Sequence, residues 1–94
     1  MTVFFNAPDK DPDSILIHTM SWADWLVEGE LITEWSIFCN KTSMDVTKLD
    51  LTSGKVTWRV SGGINKRDYK VTVRVVTSMG RQEDRSIIYR VRER

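Results

Sequence analysis

With 94 residues, 40% of them hydrophobic and 29% charged, the chain has room for one packed domain and not for a second, since single cores usually span about 100 to 150 residues. One cysteine excludes an intramolecular disulfide, and one cysteine with one histidine excludes a tetrahedral zinc site built from those residues alone. The net charge of +1 hides an asymmetry: residues 1–50 hold nine acids against three lysines, and residues 51–94 hold eleven bases against four acids.

The chain opens on Val3-Phe4-Phe5, an apolar tip suited to its own sheet or to another subunit. Asn6-Ala7-Pro8-Asp9-Lys10-Asp11-Pro12-Asp13 follows, with two prolines and four charges, a composition that resists helix and sheet alike. Residues 1–13 therefore read as an extended arm ahead of a domain at 14–94. Asp9, Asp11 and Asp13 alternate as in the opening of a calcium loop, but Pro12 and the missing glycine and closing glutamate spoil that pattern. No apolar run approaches the roughly 20 residues that cross a bilayer. The start also lacks the basic residues and long apolar stretch of a signal peptide. A soluble protein made in the cytoplasm, with no membrane partner, is expected.

Ser14–Met20 is β-rich and predicts the first strand of the domain. Ser21-Trp22-Ala23-Asp24-Trp25-Leu26 breaks the period of two; tryptophans three apart behind a serine cap fit one short helical turn over residues 21–27. Leu31–Cys39 predicts a strand with a bulge, because Ile32 and Phe38 fall on the face opposite Leu31, Trp35, Ile37 and Cys39. Residues 40–48 read as a loop with a short strand. Thr52-Ser53-Gly54-Lys55 is a turn signal, Val56–Val60 alternates cleanly, and Ser61-Gly62-Gly63 reads as another hairpin turn.

Tyr69–Thr77 and Ser86–Arg92 alternate most strongly of all, and the stretch from Ser78 to Arg85 between them is rich in turn-formers. They predict a hairpin with an apolar face of Val71, Val73, Tyr89 and Val91. Arg74, Arg90 and Arg92 stand opposite it, as Arg59 stands opposite Trp58 on its own strand. Six to eight regularly spaced strands with little helix imply an all-β antiparallel sandwich.

No constellation for catalysis emerges. His18 has no nucleophile or second ligand near it and fits a packed strand histidine. Cys39 sits among apolar neighbours, and the carboxylates lack a cleft to face across. No cofactor is expected. The basic face lacks the aromatics that stack bases, so nucleic acid is not an expected partner. Four tryptophans leave a carbohydrate-binding module as an alternative from another class, which would need them exposed around a groove.

Lys10-Asp11-Pro12-Asp13-Ser14-Ile15-Leu16, then Trp22-Ala23-Asp24-Trp25-Leu26 and Gly29-Glu30-Leu31-Ile32, resemble the opening of small tailed-bacteriophage virion proteins of the fiber–tail adaptor type. Ser61-Gly62-Gly63, Tyr69-Lys70-Val71-Thr72, Thr77-Ser78-Met79-Gly80-Arg81 and Asp84-Arg85-Ser86-Ile87 resemble their closing half, and residues 38–55 are the divergent part. The resemblance implies an immunoglobulin-like sandwich in a phage or prophage structural protein, made in the host cytoplasm and built into virions. It implies a non-enzymatic adaptor that binds tail and fiber proteins, with a homo-oligomer expected in the particle; a head-completion or capsid-decoration protein is the nearest alternative. Candidate contact residues are Val3, Phe4 and Phe5 of the arm, its Asp9, Asp11 and Asp13, and Arg59, Arg74, Arg90 and Arg92 of the sheets.

Overall fold

The computed structural model describes residues 3–7 and 9–93, and for Val3–Asn6 it describes the backbone alone. The side chains of Val3, Phe4 and Phe5, and the whole of Met1, Thr2, Pro8 and Arg94, lie outside the described residues.

Among the described residues the chain forms seven strands: β1 (Val3–Asn6), β2 (Ile15–Ser21), β3 (Ile32–Cys39), β4 (Met44–Thr52), β5 (Lys55–Gly62), β6 (Arg67–Thr77) and β7 (Gln82–Val91). They build two sheets, ordered β1-β7-β6-β3 and β2-β5-β4. Every pairing is antiparallel except that of β1 with β7, which is parallel. This is the immunoglobulin-type arrangement of a B-E-D sheet against a C-F-G sheet, with β1 added on the outside of the last strand. Tyr69 supports the assignment, since near the start of β6 its hydroxyl accepts from the Ile64 N–H at 2.8 Å, which is the tyrosine corner of such sandwiches.

Alternation explains the core. On β6 the inward positions Tyr69, Val71, Val73 and Val75 are fully buried, and β7 adds Tyr89 and Val91 while β5 adds Val56, Trp58 and Val60. Each fully buried valine contributes about 1.5–3 kcal/mol relative to exposure. Trp22 closes one end of this core and Met44 also lies within it.

Three local expectations need correction. The loop with a short strand read at 40–48 gives way from Met44 to β4, a nine-residue strand that runs on to Thr52; as an edge strand it exposes most of its side chains, so polar residues cost it little. β7 begins at Gln82 instead of Ser86, because Gln82–Arg85 pair in register with Val73–Val76. Ser61-Gly62-Gly63 closes no hairpin: Ser61 and Gly62 end β5, and residues 63–66 carry the chain to β6 in the other sheet. The Ser53-Gly54 turn stands as read. Both residues have positive φ (52° and 76°) and link Thr52 to its partner Lys55, as a two-residue type I′ hairpin requires.

Ahead of β2, the described residues Val3–Ala7 and Lys10 are bonded to β7 and the residues after it. Val3–Asn6 pair with Arg85–Ile88, the Ala7 N–H donates to Ile88 O, and Lys10 exchanges backbone bonds with Arg90 and Arg92. Lys10 is buried, its ammonium donating to Asp11 O at 2.9 Å and to Gly62 O at 2.7 Å. Burial pulls its pKa below the ordinary lysine value, against the pull of Asp11 and Asp13.

Gly63 is the tightest point of the inter-sheet crossing. With φ of 99°, a Cβ there would stand 2.7 Å from Val91 Cγ2 and 3.2 Å from Met44 Cε. Gly63→Ala is expected to destabilise the fold by about 1–3 kcal/mol through overpacking and the unfavourable φ. Urea denaturation of the two proteins measures it, and an unchanged midpoint would contradict the packing described.

Candidate functional site

The helical turn behind β2 is one closed turn, with the N–H groups of Trp25 and Leu26 both donating to Trp22 O at 2.9 and 3.0 Å. Its tryptophans pack edge to face with centroids 5.5 Å apart. Two arginines from the β6–β7 hairpin lie over them: Arg81 over Trp25 and Arg85 over Trp22, each 4.1 Å from the ring centroid. Arg85 also donates to Ser21 O at 3.0 Å and reaches Asp24 at 3.5 Å. Trp22 Nε1 is buried without a hydrogen-bond partner.

At the centre is Glu30, whose side chain is 0% exposed. Its carboxylate accepts from the Val27 N–H at 3.0 Å, from the Thr77 hydroxyl at 2.6 Å and from Arg81 through Nε at 2.8 Å and through a second, shorter bond from an Nη. Arg81 further donates to Trp25 O at 3.0 Å. The Arg81 hydrogen bonds, with help from Thr77, Val27 and the Arg81 charge, outweigh desolvation and lower the Glu30 pKa to about 2. Two motifs far apart in the sequence, Trp22–Glu30 and Thr77–Arg81, thus form one locked end of the sandwich. The spacing within each motif was visible in the sequence; the ion pair between them was not.

A second polar bridge joins the sheets. Trp58 Nε1–H donates to the Tyr89 hydroxyl at 3.1 Å, and that hydroxyl meets His18 Nδ1. Burial raises the Tyr89 pKa and lowers that of His18, so both are neutral at pH 7. All three groups are satisfied when Tyr89 donates to Nδ1, which puts the imidazole proton on Nε2. His18 is a structural bridge.

The candidate contact residues do not gather on one face. Arg59 is exposed on the outer face of the three-stranded sheet, opposite Ile17 and Thr47 in register. Arg74 and Arg90 lie on the outer face of the other sheet. That face is mixed rather than cationic, because β6 and β7 set Asp84 opposite Arg74 and Asp68 opposite Arg90. Arg74 grips Asp84 through two bonds of 2.8 and 3.0 Å, and their hydrogen bonds lower the Asp84 pKa. Arg92 bonds Asp68 at 3.0 Å, while Arg90 is exposed. In the arm Asp9 and Asp13 are exposed, and Asp11 Oδ1 caps a turn by accepting from the Asp13 N–H at 2.9 Å. Cross-strand pairing of opposite charges explains why a run of arginines becomes a balanced surface.

Sequence reasoning missed the exposed apolar residues. Ile15 and Ile17 are 66% and 62% exposed on β2, and Val27, Leu31 and Met79 are exposed around the locked end. A groove of about 500 Å³ runs there, lined by Leu26, Val27, Leu31, Ile32 and Leu51 among others. Alternation alone sets Ile15 and Ile17 on one face and Leu16, His18 and Met20 on the other, and the structure turns the second face inward.

Residues 10–90 match the family model described as Podophage GP4 fiber-tail adaptor protein gp77. No individual curated protein matches the chain. The matched span covers both motifs of the locked end and every strand except β1, apart from the last residue of β7.

Acid titration tests the Glu30 lock. A carboxyl held at about 2 against an ordinary 4.5 stabilises the fold above its unfolded pKa, and that contribution is lost as pH falls from about 4.5 through 2. Glu30→Gln is expected to lower the urea midpoint at pH 7 and to flatten the decline between pH 4.5 and 2. Parallel acid profiles for the two proteins would refute the lock.

Proposed function

The chain belongs to the podophage GP4 fiber-tail adaptor family, and from that premise we propose that it joins tail to fiber as a non-enzymatic adaptor, working through protein–protein contacts. The observation that carries this reading is the family match over residues 10–90. The structure supports it physically: a small sandwich braced at one end by Glu30–Arg81 and between its sheets by His18–Tyr89–Trp58 offers rigid surfaces with exposed apolar residues. Rigid presentation of such surfaces is what an adaptor needs, since ordering a mobile surface on binding costs affinity.

On this reading the protein is made in the host cytoplasm, is built into the virion and assembles there as several copies. The arm contributes Val3, Phe4, Phe5, Asp9, Asp11 and Asp13 to partner contacts at the outer edge of the four-stranded sheet. Exposed Arg59 and Arg90 meet acidic surfaces of neighbouring proteins, while Arg74 and Arg92, already paired with Asp84 and Asp68, shape the face around them. Such exposed charge contacts weaken with salt.

Particles assembled without the protein are expected to have tails but to lack attached fibers, with attachment restored by supplying it in trans. Electron microscopy counts the fibers, and cross-linking of complete virions identifies the neighbours. Normal fiber numbers on particles lacking the protein would overturn the adaptor reading.

A further inference from the structure

Among the described residues the two sheets are unequal, and the inequality leaves one strand position without a strand. β3 packs against β4, where Lys48 Nζ donates to Trp35 O at 2.9 Å. At the other end β2 lies over β7, through the His18 contact with Tyr89 and the Arg85 bond to Ser21 O. β1 extends the four-stranded sheet one place beyond β7, and the three-stranded sheet has no strand opposite it. In the constant-type immunoglobulin sandwich the first strand pairs with the second. Here the first strand lies on β7, and among the described residues no strand lies beside β2.

The edge of β2 is built unlike the others. β3 has a bulge between Ile32 and Glu34 with Glu34 on it, and β4 has a bulge between Lys48 and Asp50 beside its charges. β1 has four residues. Bulges, charges and shortness are the usual protections of a sheet edge. β2 has none of them: its seven residues contain no charge and no proline, and they run in unbroken register with β5 from Ile15 to Ser21. The Trp22 N–H bonds Gly54 O on the β5 side and Ser21 O accepts Arg85 on the other. By the alternation of antiparallel ladders, Ile15, Ile17 and Thr19 turn their N–H and C=O groups away from β5, to the open edge. A cleft of about 690 Å³ lies beneath that edge, lined in part by His18, Met20, Trp58, Arg85 and Ile87.

We propose that β2 is a docking edge that accepts an extended segment of a tail or fiber protein as an added antiparallel or parallel strand, completing the three-stranded sheet. This inference rests on the adaptor reading and names its contact. The geometry sets the chemistry of the occupant. Its inward side chains are apolar and fill the cleft beside His18, Met20 and Ile87, while its outward ones are apolar or β-branched and pack beside Ile15 and Ile17. It is a lone strand. A second copy pairing β2 with β2 about a two-fold axis would bring its own β7 beneath the joined sheet, into the place that β1 holds.

The test uses the full chain with overlapping synthetic peptides covering the tail and fiber proteins of the same phage, and with those proteins intact. One segment is expected to bind one-to-one and to slow amide hydrogen exchange at Ile15, Ile17 and Thr19. Ile17→Pro removes an N–H that no strand of the fold uses, and prolines are tolerated at such edge positions. It is expected to weaken binding by about tenfold or more, as loss of strand bonds predicts. Ile15→Lys, which charges the outward row and breaks no bond within the domain, is expected to do the same, and it decides the matter if the proline variant does not fold. Binding of a tail or fiber protein that survives both substitutions, or that leaves the three amides unprotected, overturns this site while the adaptor reading stands. Protection of these amides by self-association overturns the assigned occupant, and failure of every peptide and intact protein to bind overturns the proposal together with the reading beneath it.

Discussion

A carboxylate with no exposure at the end of a small β-sandwich is tolerated because each of its oxygens accepts two hydrogen bonds. Glu30 meets Arg81, Thr77 and the Val27 N–H, and the price of desolvating it is offset by bonds that can form only when two connections, one after β2 and one after β6, sit in a single relation. The burial that would make the charge costly is what makes the relation specific. Arg81 then serves twice, as the ion partner and as the cover of the Trp25 ring. Its neighbour Arg85 repeats the stacking on Trp22 and bonds Ser21 O. In this way the last residue of β2 is held by a side chain of β7, across the two sheets. The position of the β2 edge is therefore set by the same cluster that closes the core.

From there the asymmetry of the sandwich follows. Lys10 bonds Gly62 O with its ammonium and pairs its backbone with Arg90 and Arg92, so the chain ahead of β2 is committed to the β7 side before it crosses over. The crossing itself is short: Asp11 O accepts from the Ser14 N–H at 3.0 Å, closing a turn, and β2 starts at the next residue. Among the described residues the first strand lies on β7, and none lies beside β2. The described core is closed by Trp22, and the described three-stranded sheet ends at β2.

How much of this could be read beforehand depends on where each signal resides. Val71, Val73, Tyr89 and Val91 alternate with polar residues on strands that bury one face, so their period of two named both the hairpin and its inward side. The Trp22–Trp25 spacing announced a turn because three residues apart is one face of a helix and two faces of a strand. β4 escaped, since an edge strand with most side chains in water has no reason to alternate. Gln82–Arg85 escaped because their stabilising partners, Arg74 for Asp84 and Ser21 with Trp22 for Arg85, are remote in sequence. The basic face was misjudged for a related reason. Arginines can be counted along the chain, but the acid opposite each one depends on register, and register depends on the whole sheet.

An unprotected edge needs a physical reason to exist. Exposed strand edges template further pairing, and monomeric β-proteins blunt theirs with charges, bulges or short strands. Both bulged edges of this molecule carry such protection, which shows that the fold can accommodate it. β2 could accommodate it too. Its outward row is Ile15, Ile17, Thr19 and Ser21, and a lysine at either isoleucine would touch nothing in the core, because the inward row of Leu16, His18 and Met20 makes the contacts. Two isoleucines more than 60% exposed thus contribute little to the isolated domain, where their apolar area faces water. They contribute to stability only when something covers them. On the docking proposal, the outward side chains of a strand joined to β2 pack beside them.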